Sequence, residues 1–279
     1  MHNKNTINHS SDFNRRADAR QRIDRGFTLV EMAIVLVIIG LVVAGVVGGS
    51  SLIDNANRHK IVEQYQRYHL ATNAFILKYD YPPGDLPVAR SYWPSQCLNN
   101  GVSNMCNGNG DNAIHFGWTQ ADGWNYPAAE AARSWQHLYL AKMVNDGSFS
   151  PTAANSNKRT KAGITAPEVD AKTDAGKKNV GFILTSHLGW GGSGRIYLTI
   201  GAETTATNAH WSATFTPHSA KLIDIKMDDG SPKTGSLQSV EGHMPGTNVH
   251  YPAGQCVVVA TQTYNLANDA VRCRTIYWQ

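Results

Sequence analysis

The chain has 279 residues, with 25 Lys/Arg, 21 Asp/Glu and a formal charge of +4. Six of the basic and three of the acidic residues fall in the first 26 positions, so the rest is close to neutral and too weakly basic to imply a nucleic-acid partner by charge alone. The four cysteines, Cys97, Cys106, Cys256 and Cys273, include no CxxC pair, which argues against a zinc site.

Met1 to Gly26 is polar, with Arg15, Arg16, Arg20, Arg22 and Arg25 and no apolar core, so it is not an ordinary secretory signal. The apolar run comes afterwards. Phe27 to Ile53 contains a single charge, Glu31. At a helical rise of ~1.5 Å per residue, Met32 to Ile53 covers about 33 Å, enough for one membrane span. Arginines crowd before the span and only Arg58 and Lys60 follow closely, so the positive-inside rule predicts a cytoplasmic N-terminus and an extracytoplasmic body. Cysteine spacings of 9 and 17 then fit two local disulfides, with four reduced buried thiols as the alternative.

An acidic residue near the middle of a span costs roughly 2.5–3.5 kcal/mol, and such carboxylates are usually paired. Glu31 can snorkel to the headgroups. If the chain is cut after Gly26, the new amine of Phe27 also lies only four residues away, within ~6 Å along a helix. The two could neutralise each other within one chain or between neighbours. Gly26-Phe27-Thr28-Leu29-Val30-Glu31 ahead of an apolar helix resembles the N-terminus of type IV pilins and type II secretion pseudopilins. The resemblance implies a cytoplasmic leader, 1–26, removed by a prepilin peptidase that also methylates Phe27. It implies further that Glu31 pairs with a neighbouring subunit's amine during assembly on inner-membrane machinery, into a pilus or a periplasmic pseudopilus. Gly40 matches the family's mid-span glycine, whereas Gly48-Gly49 stands where a proline is common. Glycines in the span allow bending or close helix packing.

From Ser50 to Asp80 apolar residues recur at three-to-four spacing, so a single helix over 27–80 is expected to leave the membrane with one face on a globular domain. Tyr81-Pro82-Pro83-Gly84-Asp85 ends it and resembles the helix-to-loop exit of pseudopilin-like proteins. The domain 81–279 is expected to be α+β and pilin-like, with an antiparallel sheet. Leu86 to Tyr126 reads as loop-rich, stapled by Cys97 and Cys106. Asn107, Asn109 and Asp111 offer oxygens at alternate positions, as calcium requires, but Asn112 and Trp118 depart from the EF-hand pattern and an Asn-Gly turn is the alternative.

Pro127 to Val144 reads as a second helix, and Ser148 to Lys178 as a long exposed loop. Strands are expected at Val180–Thr185, Arg195–Ile200, His210–Phe215, Cys256–Thr261 and Val271–Trp278, with Gly189 to Gly194 as a hairpin turn. Thr216-Pro217 opens a short helix ending at Asp228-Asp229-Gly230. Asp224, Asp228 and Asp229 could hold calcium, as the resemblance to major pseudopilins implies, with salt bridging to Lys226 as the alternative. Cys256 and Cys273, once bridged, would pin the chain's end as a closing hairpin.

No catalytic constellation stands out. Ser186-His187 falls in a strand, where adjacent side chains point to opposite faces, and His137 beside Trp135 reads as structural. No cofactor is expected apart from calcium. The leading expectation is a structural filament subunit. The alternatives are a tip subunit binding DNA or a surface through Lys158, Arg159, Lys161 and the loop at Asn265, and a signal-anchored enzyme with an uncut leader.

Overall fold

The computed structural model describes residues 26–97, 106–115, 130–147, 149, 160–176, 179–186, 195–203, 211–245 and 249–279. It divides into two compact units, Met1–Ser50 and Ser51–Gln279. Helix α1 (Leu29–Tyr79) starts in the first and ends in the second. The first unit consists, where described, of the apolar part of α1. Leu29, Val30, Ile34, Leu36, Leu41 and Val46 are each more than half exposed, so side chains on every side of the helix lack cover from the rest of the chain.

In the second unit α1 becomes one-sided. Ile61, Tyr65, Tyr68, Thr72, Phe75 and Tyr79 are buried at alternating spacings of four and three, the repeat of one helix face. That face packs on a four-stranded antiparallel sheet ordered β1-β2-β6-β3, from β1 (Val180–Thr185), β2 (Tyr197–Ala202), β3 (Leu237–Glu241) and β6 (Cys273–Trp278). Phe182 and Ile200 are paired in register, as are Ile200 and Thr275. Tyr65 sits edge-on to Phe182 at 5.3 Å, and its hydroxyl is 2.7 Å from Thr275 Oγ1. Tyr68 bridges to α3 (Glu130–Leu140), with its ring 4.8 Å from Phe182 and 4.9 Å from Trp135.

Several expectations are corrected. The second helix is shorter than Pro127–Val144 within the described residues and stops at Leu140. A short α2 (Ala89–Tyr92) interrupts the loop-rich stretch. Part of the expected exposed loop is buried: Thr160, Ala162, Thr165, Ala166, Val169, Ala171 and Thr173 are all covered. Small Thr and Ala side chains there lie against β1, where a Cβ on Gly181 would stand 3.0 Å from Ala162. No continuous strand forms at 211–215, which makes only isolated bridges to Ala202, His243 and Cys273.

β3 was not expected, because only Leu237 and Val240 in it are apolar. The closing hairpin is also different. β4 (Val257–Val258) pairs with β5 (Thr263–Tyr264), while β6 runs between β2 and β3, so the Cys256–Cys273 disulfide ties a small two-stranded sheet to the main one. Ser186 lies just past the end of β1, with His187 and the Gly189–Gly194 turn outside the described residues. Helix α4 (Pro217–Met227) has the expected start: Thr216 Oγ1 accepts from Ser219 N at 3.2 Å, with Pro217 in the first turn.

Candidate assembly site at the start of the apolar helix

The first turn of α1 is organised by Thr28 and Glu31. The Thr28 amide and hydroxyl both donate to Glu31 Oε2, at 2.8 and 2.9 Å, and the Glu31 amide donates to Thr28 Oγ1 at 3.2 Å. This is a reciprocal capping box, in which two orphan amides of the helix start are satisfied by the two side chains. Thr-x-x-Glu before an apolar run is the sequence signal for it, and it gives Thr28 a role that reading Glu31 for its charge alone had missed. Glu31 Oε1 makes no hydrogen bond among the described residues and faces outward with the exposed side chain.

Gly26 and Phe27 precede the cap. Phe27 is 78 % exposed, so the fold does not use its ring. A Cβ on Gly26 would meet nothing within 4 Å, and the same holds for Gly40, Gly45, Gly48 and Gly49. Neither packing nor a left-handed backbone requires glycine at these positions within one chain. Among the described residues α1 is the single helix long and apolar enough to cross a membrane, and none of its most apolar window is buried inside the protein.

The other candidate residues lie elsewhere. Cys97 and Cys106 are joined, as are Cys256 and Cys273. Pro82-Pro83-Gly84-Asp85 forms a clamp. Gly84 has φ +95°, and a Cβ there would stand 2.3 Å from the Glu130 carbonyl oxygen. Asp85 accepts from the amides of Gly110 (2.6 Å) and Asn112 (2.8 Å), while Glu130 accepts from those of Asn109 (3.0 Å) and His115 (2.9 Å). Two buried carboxylates thus hold the loop 107–115 by its backbone. Burial, with the neighbouring Asp85 charge, pushes Glu130 up to about 7 against the pull of its two amide donors.

The oxygens considered for calcium in that loop are engaged by hydrogen bonds. Asn107 Oδ1 accepts from the Arg90 amide at 2.9 Å, Asn109 Oδ1 from the Asp111 amide at 3.0 Å, and Asp111 Oδ1 from the Ala113 amide at 3.0 Å. Asp111, His115 and Glu130 place ligand atoms within 4.8 Å of one another, and so do Asp224, Asp228 and Asp229. In the latter group Asp224 Oδ2 accepts from Tyr264 Oη at 2.7 Å, Asp228 Oδ2 from the amides of Ser236 and Leu237, and Asp229 Oδ1 from the Ser231 amide at 2.8 Å. The alternative, an ion pair from Lys226 to these carboxylates, does not form among the described residues; Lys226 Nζ lies 2.7 Å from His59 Nε2.

His137 is buried between the Gly84 amide, which donates to Nδ1 at 2.8 Å, and the Cys106 carbonyl, 2.8 Å from Nε2. Burial lowers its pKa to about 4, which keeps it neutral and structural. Lys158 and Arg159 fall outside the described residues, and Asn265 Nδ2 donates to the Gly254 carbonyl at 2.7 Å, bracing its own loop.

Residues 21–47, which span the cap and most of the apolar run, match the prokaryotic N-terminal methylation motif. No curated protein and no solved structure matches the chain. The motif is the prepilin signature of type IV pilins and pseudopilins. With the apolar helix and the α+β body, it supports a membrane-anchored precursor of the pilin or pseudopilin kind, which implies a structural subunit processed by prepilin peptidase.

Proposed function

We propose that the chain is a filament subunit of a type IV pilus or pseudopilus, cut after Gly26, methylated on Phe27, and assembled helix to helix. The carrying observation is the half-used carboxylate of Glu31: Oε2 holds the cap and Oε1 is open, at the head of an apolar helix that the chain leaves uncovered. In this reading the leader 1–26 stays cytoplasmic, the body 81–279 is extracytoplasmic, and Glu31 Oε1 receives the Phe27 ammonium of a neighbouring subunit. An ion pair is strengthened where water is excluded, so register along the filament follows from where that pair can form. The glycines at 40, 45, 48 and 49 leave room for close approach of neighbouring helices. Partners are then prepilin peptidase, other pilin subunits and inner-membrane assembly machinery.

Two measurements test this. N-terminal sequencing of the mature protein gives methylated Phe27; a chain that keeps its leader refutes the reading. Glu31→Ala is inserted and cut normally but forms no filaments, and normal filaments from that variant remove Glu31 from the assembly step.

A further inference from the structure

Strand β6 carries Arg274, whose side chain points away from α1 into the opposite, equally buried face of the sheet. The residue is 5 % exposed. Its guanidinium lies over the Trp211 ring, 4.3 Å from the centroid. Among the described residues Nε and Nη1 are buried and have no hydrogen-bond partner, and the polar groups that bear on its ionisation are Tyr197 and Tyr65, with no carboxylate among them. Burial lowers its pKa to about 10, which leaves the group charged at neutral pH. A buried cation without an acceptor is strongly unfavourable, and stacking on an aromatic face offsets only part of the cost.

Two imidazoles stand beside it. The His243 ring lies 6.5 Å from Trp211 and 4.1 Å from His250, with the two Nε2 atoms 3.1 Å apart. His250 Nδ1 is 3.2 Å from the Glu241 carbonyl oxygen. This bond sets the proton on Nδ1 of His250, so His243 Nε2–H donates to His250 Nε2. His243 Nδ1 is left buried with no partner among the described residues. Glu241, at the end of β3, is engaged elsewhere: its Oε1 accepts from the amides of Gly254 (3.1 Å) and Val257 (3.4 Å).

We propose that Arg274, with its guanidinium stacked on Trp211, forms a binding site for a small oxyanion, a carboxylate or a phosphate. Arg274 supplies unmet N–H donors of the kind that pair with either anion, and Trp211 holds the guanidinium plane. His250 is exposed while His243 and Arg274 are buried, so the imidazole pair runs from the surface toward the guanidinium. The site lies wholly in the second unit and does not depend on filament assembly.

The full chain in detergent micelles is titrated separately with sodium phosphate and sodium acetate, against sodium chloride at matched ionic strength, while thermal unfolding and tryptophan fluorescence are followed. The expected result is a saturable rise in Tm with phosphate or acetate but not with chloride, and the anion that saturates at lower concentration identifies the class. Arg274→Met, close in volume and uncharged, abolishes the response; Arg274→Lys, with a point charge in place of the fork, moves saturation about ten-fold higher or more. No saturable rise with either anion in the unaltered chain overturns the proposal, and so does an undiminished response in Arg274→Met. The first of these outcomes needs no variant to fold.

Discussion

Glu130 makes the stability of the body depend on pH in a direction opposite to most carboxylates. Its ordinary value is 4.5 and the fold raises it to about 7, chiefly by burial. Between those values the native state holds a proton that the unfolded chain has released, so stability falls as pH rises through the window. A rise from 4.5 to about 7 corresponds to about 3 kcal/mol in full, most of which is lost between pH 5 and pH 8. His137 and His243, each lowered to about 4 by burial, work the other way. They bind fewer protons when folded, so their contribution is restored as pH rises from about 4 to about 6.5.

The comparison that isolates Glu130 together with its neighbour Asp85 is therefore between the native chain and Glu130→Gln, which share both histidines. Gln keeps one amide bond and turns an NH2 toward the other donor, a cost of about 1–3 kcal/mol with little dependence on pH. Urea unfolding of the two full-length chains in detergent, followed by tryptophan fluorescence, gives the difference at each pH; Trp135 on α3 is buried in the same helix. The native chain is expected to lose about 2–3 kcal/mol relative to the variant from pH 5 to pH 8. A difference that stays flat, or one that grows in favour of the native chain, refutes the reasoning.

Tyr264→Phe removes the donor to Asp224 Oδ2 and the contact with Ser239 Oγ at 3.0 Å; a loss of about 2 kcal/mol in urea unfolding is expected, and no loss shows that another donor replaces it. Replacing Cys256 and Cys273 together by alanine opens a loop of 17 residues, with an expected cost of about 3 kcal/mol by thermal or denaturant unfolding; an unchanged midpoint refutes it. Glu31→Gln keeps an acceptor for the Thr28 cap but removes the charge, so amide hydrogen exchange in the first turn of α1 should stay slow while filament formation is lost. Fast exchange would assign the residue's importance to the cap instead.

The parts of the fold that were legible in the sequence are those in which one side-chain property repeats along one element. The buried face of α1 from Ile61 to Tyr79 shows in its spacing, β1 shows in an apolar run bounded by turn residues, and the cap of α4 shows in Thr216-Pro217. What escaped was tertiary. β3 is polar on three of its five positions and gains its place by pairing with β6. The stretch 160–176 lacks large apolar residues, yet its Ala and Thr side chains are covered because Gly181 allows a close approach. Cysteine spacing shows which thiols can meet, but it leaves open that Cys273 belongs to an interior strand. At the candidate site the charge of Glu31 was plain, whereas its bonding to Thr28 was not drawn from the same six residues.

That bonding separates two properties of Glu31 that are easily merged. The capping box accounts for a long acceptor side chain three positions after Thr28, but Gln satisfies the same geometry as well as Glu. It therefore explains the position and leaves the charge unexplained. An ionised carboxylate at the head of an apolar helix is unfavourable in lipid unless paired, and among the described residues no cation pairs with Glu31. In the proposed filament the counter-charge is a Phe27 ammonium, and the cap fixes how it is met: Oε2 is held against Thr28, so the pairing falls to Oε1. On that proposal, a subunit whose first helical turn is already ordered would present that oxygen in one direction, lowering the entropy cost of recruiting a partner and giving a helix with few polar features of its own a defined register.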